Sequence, residues 1–176
     1  MKRTLLFVIT QFYRGGAETA LVNLLKALSP EDYAVDLLVL NQTTQENSLL
    51  PEVPAWVRVL DAGAENGVKP FSMTKKAFWL GGDAALCFVA GRTYDAAFSY
   101  GEWCPLEFVA QNVAARTKAV WIHTDITKSN GFDANAFFDS FLSYRYYIFV
   151  SEDTKRRAEA RYPFLIGKSA LIHNVL

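Results

Sequence analysis

Two adjacent glycines, Gly15 and Gly16, stand where a strand pattern ends and a helix pattern begins. Residues 5–10 form an apolar run typical of a buried strand, and residues 17–28 carry apolar side chains at helical spacing. Because glycine has no Cβ, the backbone N–H groups at this junction are open to close approach by a ligand. Those N–H groups and the positive end of the helix dipole favour an anion, most often a phosphate. A plain tight turn would explain the glycines equally well, since neither a P-loop nor Gly-x-Gly-x-x-Gly is present.

His123 is one of only two histidines, and it directly follows an apolar run at residues 118–122. An imidazole at the end of a buried strand could donate a hydrogen bond to a substrate or take up a proton, and Asp125 stands two residues further on. The alternative is a structural histidine bonded to a neighbouring loop. His-Thr-Asp alone is not a metal-ligand spacing, so we expect no metal site. We expect the other histidine, His173, to be structural.

Two further polar residues follow strand-like runs. Glu102 could accept hydrogen bonds from sugar hydroxyls or other polar ligands, or it could be a solvated carboxylate near the start of a helix. Ser151 is first an N-cap of the helix that follows it and second a candidate ligand contact. The helix dipole explains Glu18 without any ligand. No Gly-x-Ser-x-Gly elbow is present, which argues against a serine hydrolase.

Apolar runs alternate with helical patterns along the whole sequence. The predicted strands are residues 5–10, 34–40, 57–60, 96–99, 118–122, 146–150 and 169–173. The predicted helices are residues 17–28, 73–91, 105–115, 135–142 and 152–161. Strands that are apolar throughout and separated by helices indicate a parallel sheet covered on both faces. We therefore predict one doubly wound, Rossmann-like α/β domain over residues 1–176.

The polar candidates all follow predicted strands, which would bring them to one edge of such a sheet. Ligands of doubly wound sheets bind beyond the carboxyl ends of the strands. The segments entering the strands are less polar, so we expect a cleft at the carboxyl edge. The four segments expected around it are residues 11–16, 100–103, 123–125 and 151–152.

Composition excludes several other classes of protein. Lys+Arg and Asp+Glu both total 18, so net charge gives no indication of a nucleic-acid partner. Cys87 and Cys104 are too far apart for a Cys-x-x-Cys pair, and so few cysteines favour a reducing cytoplasm. The apolar start is short and lacks a signal-peptide cleavage site. Residues 77–89 are too short to span a bilayer.

Four motifs, taken in order, resemble those of GT-B glycosyltransferases of family 4. They are Gly15-Gly16-Ala17-Glu18, Tyr100-Gly101-Glu102, Trp121-Ile122-His123-Thr124-Asp125 and Phe149-Val150-Ser151-Glu152. A fifth segment, residues 169–175, resembles the linker into the second domain of that family. His173 and Val175 stand there in place of the usual tyrosine and proline.

The resemblance implies the N-terminal, acceptor-side half of a GT-B enzyme. The C-terminal donor domain would lie outside this chain, which would be a truncated piece or a natural half. The implied reaction is a retaining, metal-independent transfer from a nucleotide-sugar to a glycan or lipid-linked acceptor. Cell-surface or capsular polysaccharide synthesis is the expected setting. The nucleotide-sugar is a co-substrate and no other cofactor is implied. The expected location is the cytoplasm, with peripheral contact at the inner face of the membrane left open.

The resemblance also implies roles for individual residues. Gly15 and Gly16 would approach the donor diphosphate, and His123 would contact the transferred sugar as the catalytic residue. The candidates for binding the acceptor or the sugar are Glu102, Asp125 and Ser151. Because the donor half would be missing, we expect the 176 residues alone to be inactive.

Two other classes fit the same elements. One is a non-catalytic nucleotide- or sugar-binding module of this fold. The other is a flavodoxin-like or receiver-type signalling domain, which would need acidic residues directly after the first strand. Residues 11–14 contain none, so the receiver ranks last.

Overall fold

The computed structural model describes residues 1–41, 47–62, 82–129, 132–133 and 137–174. Its strands are β1 (Arg3–Ile9), β2 (Tyr33–Val39), β3 (Arg58–Asp61), β4 (Thr93–Tyr100), β5 (Ala114–Ile122), β6 (Tyr146–Phe149) and β7 (Ser169–Leu171). Its helices are α1 (Gly16–Ala27), α2 (Gly82–Val89), α3 (Cys104–Asn112), α4 (Phe138–Leu142) and α5 (Glu152–Arg161). Two short 3₁₀ helices cover Leu50–Glu52 and Pro163–Leu165.

The seven strands form one sheet in the order β3-β2-β1-β4-β5-β6-β7, and every neighbouring pair is parallel. The chain moves outward from β1 to β3, returns to β4 and then moves outward in the other direction. In register, Leu5 of β1 stands between Val35 of β2 and Ala96 of β4. The order therefore reverses between β1 and β4, which is the topological switch point of a doubly wound sheet. The predicted fold class is confirmed.

The two faces of the sheet carry separate apolar cores. Side chains alternate across a strand, so Phe7 belongs to one core and Leu6 to the other. Helix α1 packs on the first face through Leu21 and Leu25, which are completely buried. The second face is covered by residues of α2, α3, α4 and α5. A continuously apolar strand such as β1 is what burial on both faces requires.

One buried polar network ties β2, β3 and β4 together. The Asp36 carboxylate accepts hydrogen bonds from Arg58 Nε at 2.8 Å and Nη2 at 2.5 Å, and from the Tyr94 hydroxyl at 2.7 Å. The Arg58 guanidinium also lies over the Phe88 ring, 3.6 Å from its centroid. Asp36 of β2 thus binds one residue of the neighbouring strand β3 and one of β4, which lies on the other side of β1.

All seven predicted strands are present, and the helix boundaries show where prediction differed. Residues 113–115 were predicted to extend a helix, but Ala114 begins β5 and pairs with Thr93 of β4. Pairing with an existing strand outweighs the helix propensity of alanine there. Parts of the predicted helices at 73–91 and 135–142 lie outside the described residues. So do parts of residues 41–54 and 62–72, whose polar composition predicts loops.

Candidate functional site

The carboxyl edge of the sheet brings the predicted polar segments into one row. Strands β1, β4, β5 and β6 are consecutive neighbours and all run in the same direction. The segments that follow them therefore lie side by side, with Gly15 and Gly16 after β1, Glu102 after β4, His123 after β5 and Ser151 after β6. The first two segments flank the switch point between β1 and β4.

The glycine turn starts helix α1 without unusual backbone angles. Gly15 is the N-cap residue, with φ −129° and ψ 171°, and its carbonyl accepts the Thr19 N–H at 3.0 Å. Gly16 also lacks a positive φ, and among the described residues no atom beyond its chain neighbours and the helix's own nearby backbone lies within 4 Å of the place where its Cβ would be. The first-turn N–H groups of a helix have no intrahelical partners. The turn therefore leaves open space beside backbone donors at Gly16.

Glu18 occupies the other side of this turn. A Cβ on Gly15 would lie 3.2 Å from the Glu18 Cδ atom, so the carboxylate fills the space that the glycine leaves. Burial raises the pKa of the half-buried Glu18 carboxyl, and a hydrogen bond from its own backbone N–H opposes that rise. Burial also raises the pKa of Tyr100, and the Glu18 charge adds to the effect. Sequence reasoning gave Glu18 only a dipole role, although a glutamate three residues after an N-cap is the spacing of a capping box.

Glu102 connects the loop after β4 to the loop after β5. Its side chain is only 3% exposed, and its Oε1 atom accepts the backbone N–H groups of His123 and of Thr124, the latter at 2.6 Å. Gly101, with φ 146°, makes the turn that leads to it. Burial raises the pKa of Glu102, while the N–H donors of Thr124 and His123 lower it. The alternative of a solvated carboxylate is wrong for this residue.

His123 lies at the centre of the row. Its ring packs on Tyr100, with centroids 4.7 Å apart and planes inclined by 50°. Both ring nitrogens are shielded from solvent and have no hydrogen-bond partner within the described residues. Burial lowers the pKa of His123 from 6.5 to about 4, so the imidazole is neutral near pH 7. A neutral ring offers one hydrogen-bond donor and one acceptor to a ligand.

Asp125 does not orient His123. Its Oδ1 accepts hydrogen bonds from the Thr127 hydroxyl at 2.6 Å and the Thr127 N–H at 3.1 Å. Its Oδ2 lies 3.1 Å from Arg157 Nη1 and 3.6 Å from Lys128 Nζ. The Thr127 hydroxyl contributes most to the lowered pKa of Asp125. The carboxylate thus joins the loop after β5 to helix α5.

Ser151 caps α5 through its backbone alone. Its carbonyl accepts the Lys155 N–H and the Thr154 hydroxyl, both at 3.0 Å. Its side chain makes no capping hydrogen bond. The hydroxyl of Ser151 is therefore not committed to the helix, as a ligand contact would require.

A cavity of about 520 Å³ lies away from this row, on the face covered by α1. None of the predicted site residues lines it. Of the described α-helices, only α1 contributes to the apolar core on that face. The side chains around the cavity include Leu24, Leu28, Phe98, Trp121, Ile148 and Ile172. The row of site residues is thus separate from the cavity.

Comparison with known proteins adds no family to these observations, because no protein-family model and no curated protein matches the chain. Within the described ranges, no three His, Cys, Asp or Glu side chains come together as a metal site. No helix in the described part of the chain is long and apolar enough to cross a membrane.

Proposed function

We propose that this chain is the N-terminal, acceptor-side domain of a retaining GT-B glycosyltransferase of the family 4 type. It would take part in a metal-independent transfer from a nucleotide-sugar to a glycan, lipid or other acceptor, in cytoplasmic synthesis of cell-surface polysaccharide. The observation that carries the proposal is the Gly15-Gly16 turn, which starts α1 at the carboxyl end of the central strand β1. This is the switch-point position at which doubly wound sheets bind nucleotide ligands. The ordered motifs supply the choice of family.

The donor diphosphate would bind at the start of α1. The first-turn N–H groups and the positive end of the helix dipole favour a phosphate there. The open space beside Gly16 leaves room for it. Negative charge grows on the diphosphate as the sugar–phosphate bond breaks, and fixed N–H donors stabilise that charge without reorganisation. The backbone of the turn would therefore assist departure of the leaving group.

His123 would contact the transferred sugar as a neutral hydrogen-bonding group. Its low pKa rules out a protonated imidazole near pH 7, so the ring would polarise or orient the sugar through a hydrogen bond. Its two ring nitrogens have no competing partner within the described residues, but both are shielded, so a sugar would reach them only after the ring or its neighbours moved. A contact of this kind that strengthens in the transition state acts mainly on kcat.

The position of the candidate residues at the carboxyl edge supports a site completed by a second domain. The candidate residues lie in a row and not in the cavity on the α1 face. Such an edge would face a donor domain across a cleft. We therefore expect the 176 residues to bind a diphosphate weakly and to transfer no sugar alone.

The first experiment is an amide NMR titration of this chain with pyrophosphate and with nucleoside diphosphates. We expect the Gly15, Gly16 and Ala17 signals to move. Glu18→Gln should bind pyrophosphate roughly tenfold more tightly, because it removes a negative charge beside the site. Glu31→Gln, the same change at an exposed position, is the matched control and should bind like wild type. Unchanged Gly15 and Gly16 signals at millimolar pyrophosphate would contradict the phosphate site.

The second experiment compares this chain with the protein encoded by the whole reading frame, using a panel of nucleotide-sugars. Transfer only by the longer protein is the expected result. Robust transfer by the 176 residues would contradict the two-domain arrangement. Binding without transfer by either protein would favour the non-catalytic binding module.

A further inference from the structure

We infer that Glu102 is a positioning residue for His123, because its carboxylate fixes the backbone that carries the imidazole. The positioning rests on contacts within this chain. Its importance for catalysis rests on the proposed function.

The backbone contact is the first part of the argument. Strand β5 ends at Ile122, so the next two N–H groups lie beyond the strand. The Oε1 atom of Glu102 accepts both of these groups, those of His123 and Thr124. A carboxyl oxygen has two lone pairs and can accept two N–H donors at once. One buried oxygen thus holds the first two residues of the loop at a fixed distance from β4.

The ring contact is the second part. Tyr100 stands two residues before Glu102 and packs on the His123 ring at 4.7 Å. The ring nitrogens have no hydrogen-bond partner in the part of the chain that the structure describes, so no hydrogen bond there orients the imidazole. The segment from Tyr100 to Glu102 therefore holds both the backbone and the ring of His123. Moving the backbone by even a small distance would lift the ring from Tyr100 and open it to water.

The chemistry of the side chain explains why a carboxylate suits this position. A glutamine could still accept the two N–H groups through its amide oxygen, but without the charge. Its NH₂ group would add two donors in a place that is 97% shielded, where unpaired polar groups are costly. Glu102→Gln should therefore loosen the loop partly, and Glu102→Ala should release it.

The test measures the titration of the His123 ring by NMR, in the 176-residue chain, from pH 3.5 to pH 8. Tyr100 and Glu18, the titratable groups on the neighbouring elements, are unchanged in every variant, as is Asp125. In wild type the midpoint should lie near pH 4. In Glu102→Ala it should rise by more than about one pH unit towards 6.5, because the released ring meets water. Glu107→Ala, the same change on the exposed side of α3, is the control and should leave the midpoint in place.

A second measurement keeps the test decisive if Glu102→Ala does not fold. In Glu102→Gln, amide hydrogen exchange at His123 and Thr124 should be at least about tenfold faster than in wild type. A merely structural glutamate would slow or speed exchange throughout the sheet and not at these two amides. If Glu102→Gln leaves both the His123 midpoint and the two exchange rates unchanged, the inference is overturned. The transfer assay described above tests the proposed function separately.

Discussion

Acid should destabilise this fold through a single buried imidazole. His123 is neutral in the folded protein because burial lowers its pKa to about 4, whereas the ordinary value is 6.5. Protonation is therefore easier in the unfolded chain than in the folded one. The stabilisation from keeping His123 neutral is fully present above pH 6.5 and is lost as the pH falls from 6.5 to 4.

The size of the effect follows from the two pKa values. One pKa unit corresponds to about 1.36 kcal/mol, so the difference between 6.5 and about 4 amounts to about 3 kcal/mol. A domain of this kind has a total stability of roughly 5–15 kcal/mol. Protonation of one side chain would thus remove a large fraction of the free energy of unfolding.

Urea unfolding at pH 7, 5.5 and 4.5 would measure the effect in wild type and His123→Phe. Phenylalanine keeps an aromatic ring against Tyr100 and cannot be protonated. The raised pKa of Glu102 acts in the opposite direction, since it reduces stability as the pH rises above about 4.5, and it acts in both proteins. The difference between the free energies of unfolding of wild type and His123→Phe, followed against pH, therefore isolates the contribution of His123. It should change by about 2 kcal/mol between pH 7 and pH 4.5.

The exposed histidine provides the control. His173→Phe makes the same change at an exposed ring, whose Nδ1 lies 3.1 Å from the Val150 carbonyl oxygen, and measures the cost of replacing an exposed histidine by phenylalanine. Parallel pH dependence of wild type and His123→Phe would refute the argument, because His123 would then titrate equally in the folded and unfolded chains.

Three further predictions concern single substitutions. Gly16→Ala should stabilise the fold by about 0.5–1 kcal/mol in urea unfolding, because alanine suits a helix and no atom obstructs its Cβ, yet it should weaken pyrophosphate binding. If Gly16→Ala instead lowered both the stability and the affinity for pyrophosphate, the glycine would be structural. Asp36→Asn should destabilise by about 2–3 kcal/mol, since it leaves the Arg58 guanidinium without its carboxylate, and unchanged stability would contradict the network. In the protein from the whole reading frame, His123→Ala should lower kcat by roughly 10²–10³, measured at a temperature where the variant is folded, and a kcat within a few-fold of wild type would make the histidine structural.

The fold could be predicted from the sequence because its signals are local. Strands buried on both faces must be apolar throughout, and β1 and β2 show this directly. Helix α1 carries its buried leucines at helical spacing. The start of β5 could not be predicted, because Ala114 becomes a strand residue only through its pairing with Thr93.

The candidate site could be predicted in its residues but not in its contacts. A parallel sheet brings the residues after its strands to one edge, so the positions of Gly16 and His123 followed from the fold. The direction of the Glu102 carboxylate could not be predicted from the fold. It accepts hydrogen bonds from the backbone N–H groups of residues 21 and 22 positions further along the chain. That the His123 ring nitrogens have no hydrogen-bond partner among the described residues is likewise a property of the packed structure.

The central place of β1 also affects how the chain can fold as it is synthesised. One edge of β1 pairs with β2, the next strand to be synthesised. The other edge can pair only once β4 has been synthesised. The N–H of Thr4 donates to Asp95, 91 residues later, at 2.8 Å. At roughly 5–20 residues per second, the ribosome needs on the order of 5–20 s to supply that partner. One edge of the first strand, with its backbone N–H and C=O groups, therefore stays unpaired for an interval set by translation, and such unpaired edges are where nascent chains associate wrongly.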